Sequence, residues 1–264
     1  MSDSIINDSI INESTLVSVD LPPRQDKLPC DDGIPMETQR HKLQMDLLID
    51  PLAPWLAQRQ GGGYVSGNMF VYFSLEQLRN QDYRGPDVFV VLDVAATERK
   101  SWVVWEEGKG PDVIIELLSE STATRDKTEK KRIYQSQMRV PEYVWYDPFN
   151  PDDLAGFSLQ KGFYEPIALD TQGRLISQSL GLALIRWRGE FKGVDDAVWL
   201  RWATLDGTLL PTDRQRAEQE YQRAEQEYQR AEQEHQRAEQ ERQRADRLAA
   251  RLRSLGIEPE EISE

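Results

Sequence analysis

From Met36 to about Gln60 the apolar residues Leu43, Leu47, Leu48 and Leu52 recur at helical spacing. They predict an amphipathic helix, bent near Pro51 and Pro54 and ended by the run Gly61, Gly62, Gly63. Three extended segments follow: Tyr64 to Phe73, Asp87 to Val94 and Asp112 to Leu118. Their Val, Ile, Phe and Tyr content, bounded by Gly and Pro, predicts strands of a core sheet. A second helix is expected from Asp126 to about Met138, with Asp126 as its N-cap and Glu129 three residues on. Pro141 opens a further extended run, EYVWYD, ending at Asp147. The order helix, strand, strand, strand, helix, strand describes an α/β core with a mixed sheet. Residues 154 to 205 read as further strands and turns packed on that core.

The C-terminal pattern is different. QRAEQEY at 215 recurs as QRAEQEY, QRAEQEH and QRAEQER before decaying into QRADRLAARLRSL, a seven-residue period without Gly or Pro, so a long helix is expected. Tyr221, Tyr228, His235 and Arg242 fall at one seam position, with Ala224, Ala231, Ala238, Ala245 and Leu252 at the other. Alanine buries little surface and Arg242 disfavours a dry interface. A solitary charge-laced helix and a coiled coil, with possible homo-oligomer formation through residues 211–255, both remain open. No basic block precedes the heptads, which argues against a basic-zipper DNA reader. At the other end, residues 1–35 mix Asp, Ser, Asn and Pro without a sustained period and are expected to be disordered. The expected organisation is thus 1–35 disordered, 36–210 the folded domain, 211–255 the heptad helix and 256–264 a flexible tail.

Composition narrows the class. No stretch approaches the twenty or so apolar residues of a membrane-spanning helix, and the first ten residues lack a secretion signal, so a cytoplasmic protein is expected. The single cysteine, Cys30, excludes an intramolecular disulfide and a multi-cysteine zinc site. A net charge of -14 argues against a nonspecific nucleic-acid coat, but the charge is uneven: residues 36–210 carry 25 acids and 20 bases. Within them, Arg125, Lys127, Lys130, Lys131, Arg132 and Arg139 stand against Asp126 and Glu129. This local excess suits a phosphate-binding surface, although a solvated helix face is the commoner origin of such a run.

Glu116 is the anomaly. It lies in the apolar run VIIELL, where a carboxylate is costly without a partner; an ion pair is the plain explanation and a metal the sharper one. Strand alternation puts Asp112, Ile114, Glu116 and Leu118 on one face and Val113, Ile115 and Leu117 on the other. Asp87 opens the neighbouring strand. On the following helix, Lys130 shares an inward stripe with Ile133, Tyr134 and Gln137. An Asp126–Lys130 pair explains it at about 0.2–0.5 kcal/mol; alternatively the ammonium reaches the two carboxylates and a bound phosphate. Between strand and helix, Ser119, Ser121 and Thr122 are placed for capping or phosphate contact. Two carboxylates and a lysine suffice for metal-assisted phosphodiester hydrolysis, since Mg2+ prefers carboxylate and water oxygens and acidifies bound water.

The succession PDVFVV, PDVIIELLSESTATRDKTEKKRIYQ and VPEYVWYDP resembles the Uma-two family, within the PD-(D/E)XK nuclease superfamily, over about residues 40–190. The resemblance implies a restriction-endonuclease-like α/β core, with a central mixed sheet flanked by helices, and here a long C-terminal helix. It implies a DNA endonuclease using Mg2+, with Mn2+ as the alternative cation, Asp87 and Glu116 as metal ligands, and Asp87, Glu116 and Lys130 as the catalytic group. The chain departs from the superfamily pattern at Leu118, where a lysine is expected; Lys130 on the next helix takes its place. Glu37 is a conceivable further ligand. His41 is expected at the surface rather than near the site, and Asp93 and Asp112 as turn acids. The competing interpretation is an inactive nuclease-fold scaffold acting through its coiled-coil tail. A sugar hydrolase using Asp87 and Glu116 ranks lower because it leaves the inward lysine unexplained.

Overall fold

The structure is a computed structural model that describes residues 21–30, 38–79 and 85–255. Two helices open the core, α1 (Gln39–Ile49) and α2 (Leu52–Gln58). The break between them falls at Pro51, whose missing N–H interrupts the helical ladder as the sequence predicted. The strands are β1 (Gly63–Ser66), β2 (Val71–Tyr72), β3 (Val88–Leu92), β4 (Trp102–Val103), β5 (Val113–Leu117), β6 (Glu142–Tyr146), β7 (Leu154–Gln160), β8 (Phe163–Ile167), β9 (Leu175–Ser177), β10 (Leu182–Phe191) and β11 (Val194–Ala203). Six of them form the central sheet, in the order β1-β3-β5-β6-β7-β8. The β5–β6 pair is parallel and the other neighbours are antiparallel, so this is a mixed sheet in an α/β core.

A parallel pair needs a crossover. Here it is the site helix, built from α turns Ala123–Arg125 and Lys131–Ile133 alternating with π turns Asp126–Lys130 and Tyr134–Met138. It starts three residues before Asp126, so Asp126 is not the expected N-cap but lies inside the helix, buried. Ile133 and Tyr134 pack inward as predicted; Gln137 is exposed, because the second π turn rotates it off the inward stripe.

Pleat alternation divides the core. Val88, Val90, Val113, Ile115, Leu117 and Val144 face α1, α2 and the separate β9–β10–β11 sheet. Phe89, Val91, Ile114 and Tyr143 face Ile133 and Tyr134 of the site helix. Gln44 of α1 ties in the second sheet by bonding both Leu200 N and O, at 2.9 and 2.8 Å.

Two further features differ from the expectation. The run Tyr64 to Phe73 is two short strands: β1 joins the central sheet, while β2 pairs with β4. The chain turns between them at Gly67 and at Asn68, whose φ of 49° is left-handed. In addition, residues 21–30, inside the segment expected to be disordered, dock on β2 and the turn after β4: Tyr72 Oη donates to Pro29 O (2.6 Å) and Trp105 Nε1 to Pro23 O (2.9 Å). Of the terminal segments expected to be disordered or flexible, residues 1–20, 31–35 and 256–264 lie outside the described residues.

The tail helix runs Asp213–Ser254, opened by a capping box between Thr212 and Gln215, and buries none of its residues. Among the described residues, no helix is long and apolar enough to cross a membrane.

Candidate active site

Antiparallel pairing of Val88 with Ile115 places Asp87 opposite Glu116 at the end of β3. Side chains directly opposed across such a pair share a face, so the register itself brings the two acids together. Leu117 N donates to Asp87 Oδ2 at 2.7 Å and orients that carboxyl. Gly67 supports the same corner from behind. A Cβ there would stand 2.2 Å from Asp87 O, so any side chain would push the β3 entrance away. Gly67→Ala is expected to displace Asp87 and lower stability, measurable by thermal melting.

Lys130 completes the cluster. Its Nζ lies 3.1 Å from Glu116 Oε2 and 2.7 Å from Asp126 Oδ1. The local i,i+4 pair and the reach to the sheet therefore coexist. Glu116 is fully buried, and its other oxygen, Oε1, accepts a 2.6 Å hydrogen bond from Tyr134 Oη. Tyr143 Oη donates to Asp126 O at 2.9 Å. This carbonyl belongs to the π turn, where the helical ladder is re-spaced and a side chain can insert. Asp126, Lys130 and Tyr134 thus form one i, i+4, i+8 stripe over Glu116.

The charges do not balance. Three acids, Asp87, Glu116 and Asp126, face one lysine. Burial first, then the Glu116 charge, push the Asp87 carboxyl well above the usual carboxylate range, with Lys130 pulling the other way. Burial and Glu116 likewise raise Asp126. Burial opposes the Lys130 charge, but Glu116, Asp126 and Asp87 together outweigh it and hold the ammonium above the ordinary lysine range. Because Asp87 binds its proton more tightly folded than unfolded, its contribution to stability is present below the unfolded carboxylate pKa and is lost as pH rises through the folded value. In EDTA, Asp87→Asn is therefore expected to gain stability relative to wild type between pH 5 and pH 8, as read by denaturant titration. No gain would show that Asp87 carries no charge strain.

The residues present suit a divalent cation. Two hard carboxylates on adjacent strands sit in a cluster that is short of positive charge, and Mg2+ takes such oxygens with water filling its remaining positions. Among the described residues, no group of three or more His, Cys, Asp or Glu side chains is arranged to hold an ion. Asp87 and Glu116, the two acids that the strand register opposes, are the residues that could hold one. Asp126, like Glu116, contacts the Lys130 ammonium, and both of its carboxylate oxygens are buried beside the pair.

The remaining sequence candidates fall outside this pocket. Asp93 pairs with Arg59; Asp112 pairs with Lys109 and accepts from Leu92 N, as strand-end acids. His41 is not at the surface: it is buried, with Nε2 2.9 Å from Leu118 O and Nδ1 2.8 Å from Thr38 Oγ1, bracing the end of β5. Glu37 lies outside the described residues. The Ser119, Ser121 and Thr122 hydroxyls bond one another at the start of the site helix. Of the basic run, Lys127 is held by Asp153 and Lys131 lies over the Phe157 ring, 3.4 Å from its centroid, while Arg132 and Arg139 are exposed. The sequence reading assigned no site role to Asp126, Tyr134 or Tyr143. The four-residue spacing of Asp126, Lys130 and Tyr134 was the available signal.

A family profile described as "Uma2: Putative restriction endonuclease" matches residues 20–188. The chain belongs to the Uma2 family. The matched segment contains Asp87, Glu116, Lys130 and the whole β5–helix–β6 unit, and ends before the tail helix. No curated protein matches this Uma2 chain. Among solved structures it is similar to "a putative nuclease belonging to DUF820" from Anabaena variabilis ATCC 29413, at 15% identity and a TM-score of 0.41, over 60% of this chain and 91% of that one.

Proposed function

We propose that this Uma2 protein is a Mg2+-dependent DNA endonuclease, with Asp87 and Glu116 holding the cation and Lys130 acting on the nucleophile. One observation carries the proposal: a buried glutamate and an aspartate opposed across β3 and β5 share their pocket with a lysine from the crossover helix. When bound, the cation would polarise the scissile phosphate and acidify a coordinated water. Mn2+, a similar hard cation, is expected to substitute.

The protein's own groups divide the remaining tasks. The Leu117 N–H and the Tyr134 hydroxyl fix the two carboxylates in orientation. Lys130, set among three acidic neighbours, orients the attacking water and offsets charge developing on phosphoryl oxygens. Exposed Arg132 and Arg139 add positive charge along the site helix for the DNA backbone.

Lys130→Ala is expected to slow plasmid cleavage by about 100- to 1,000-fold, as for loss of one stabilising donor. Mg2+ should still raise the melting temperature, because the lysine repels a cation rather than ligating it. Undiminished cleavage would remove Lys130 from the site.

The existing Lys130 contacts favour one second interpretation. The ammonium already pairs with Glu116 and Asp126, which is how an inactive scaffold would accommodate a buried glutamate. The scaffold is distinguished by plasmid left intact in Mg2+ and by a melting temperature that does not respond to the ion.

A further inference from the structure

The tail helix stands outside the site, and its sequence specifies what it can bind. Its repeat contains two apolar positions, Tyr and Ala, spaced three residues then four. This admits one heptad assignment: Tyr221 and Tyr228 at a, Ala224 and Ala231 at d. The seam is open to solvent, with Tyr221 and Tyr228 71% and 67% exposed. The flanks of the seam decide its partner. Position e holds Glu218, Glu225, Glu232 and Glu239, and position g holds Glu220, Glu227, Glu234 and Glu241. Arg216, Arg223, Arg230 and Arg237 stand at c, away from the seam, while Arg242 takes the a position at the end of the last repeat.

In a parallel pair, g of one helix meets e of its partner; in an antiparallel pair, g meets g and e meets e. Across the repeats from Glu218 to Glu241 such meetings between two copies set glutamate against glutamate, and like charges at these positions oppose pairing; only at the C-terminal end do Leu248 at g and Arg253 at e break the pattern. A homo-oligomer through residues 211–255, one of the two outcomes the heptads left open, is therefore disfavoured in either orientation. The acidic flanks instead complement a seam bordered by Lys and Arg, and the small alanines leave room for large apolar residues opposite them.

We propose that the tail helix docks, through its Tyr/Ala seam, an α-helix of a different protein whose own apolar seam has leucine-sized residues and is flanked on both sides by basic residues.

The test uses the full-length chain and two synthetic 35-residue helices with Leu at a and d, one with Lys at every e and g position and one with Glu there. Binding is read by fluorescence anisotropy at pH 7.5, and the mass of the chain alone by sedimentation equilibrium. A quadruple variant, Gln219→Tyr, Tyr221→Gln, Gln226→Tyr and Tyr228→Gln, keeps composition and net charge but moves the aromatic residues off the seam.

The expected results are a monomeric wild-type chain and binding of the Lys-flanked probe that weakens with added NaCl. Affinity should be at least 100-fold lower for the Glu-flanked probe and at least tenfold lower for the quadruple variant. A wild-type dimer that becomes monomeric in the quadruple variant would show self-pairing through the seam and overturn the proposal. Failure of the Lys-flanked probe to bind would identify a solitary helix, and equal binding to the quadruple variant would reduce the effect to bulk charge; either also overturns it.

Discussion

Glu116→Gln is expected to stop DNA cleavage, lowering the single-turnover rate on supercoiled plasmid in Mg2+ by roughly a thousandfold or more, equivalent to about 4 kcal/mol of transition-state stabilisation. Glutamine retains the shape of the side chain and an oxygen to accept from Tyr134, so the pocket stays filled. What disappears is the negative charge that would hold the cation and face Lys130. The variant should fold, and in EDTA its melting temperature should be no lower than that of wild type, since the repulsion with Asp87 is relieved. Wild-type cleavage by the variant would exclude Glu116 from the chemistry.

The second large effect concerns the frame. Trp202→Ala is expected to cost about 3–5 kcal/mol, the range for truncating a buried tryptophan. Trp202, on β11, is 1% exposed, packs in the cluster shared with Leu48, Val88, Ile115 and Leu117, and donates from Nε1 to Leu48 O at 3.0 Å. Its loss opens a cavity between the second sheet and α1 and leaves a carbonyl without its donor. Urea titration should show a lower midpoint at unchanged slope. A midpoint shift below about 1 kcal/mol, the centre of ordinary point-mutant effects, would mean that the β9–β11 sheet is peripheral to the core.

The site was legible in the sequence wherever a strand pattern was violated. A glutamate inside VIIELL cannot face an apolar layer unpartnered, and alternation alone put it on the face opposite Val113, Ile115 and Leu117, where the site helix lies. Lys130 was legible for the same reason, as a charge on a stripe that also carries Ile133 and Tyr134. Asp126 was misread because its position just before a helical pattern is also the signature of a cap. The helix starts earlier, at Ala123, and the π turns shift its faces, which a 3.6-residue period cannot anticipate.

Long-range pairings were less legible. Nothing local in Tyr64 to Phe73 shows that its two halves join different sheets, β1 pairing with β3 and β2 with β4; both partners are distant in sequence. The docking of residues 21–30 was equally hidden, since it rests on backbone carbonyls of Pro23 and Pro29 meeting side chains about 43 to 82 positions away. His41 gave no periodic signal either. Its two ring nitrogens are satisfied by Thr38 and Leu118, partners that exist only once α1 lies against the end of β5.

The most direct test is the melting temperature of wild type, Asp87→Asn and Glu116→Gln in EDTA and in saturating Mg2+. At about 100 times the dissociation constant, the ion should stabilise wild type by about 2.7 kcal/mol, a rise of roughly 5–10 °C for a domain of this size. Neither variant should respond comparably. A wild-type melting temperature indifferent to Mg2+, or the same rise in all three proteins, would contradict a cation held between the acids of β3 and β5.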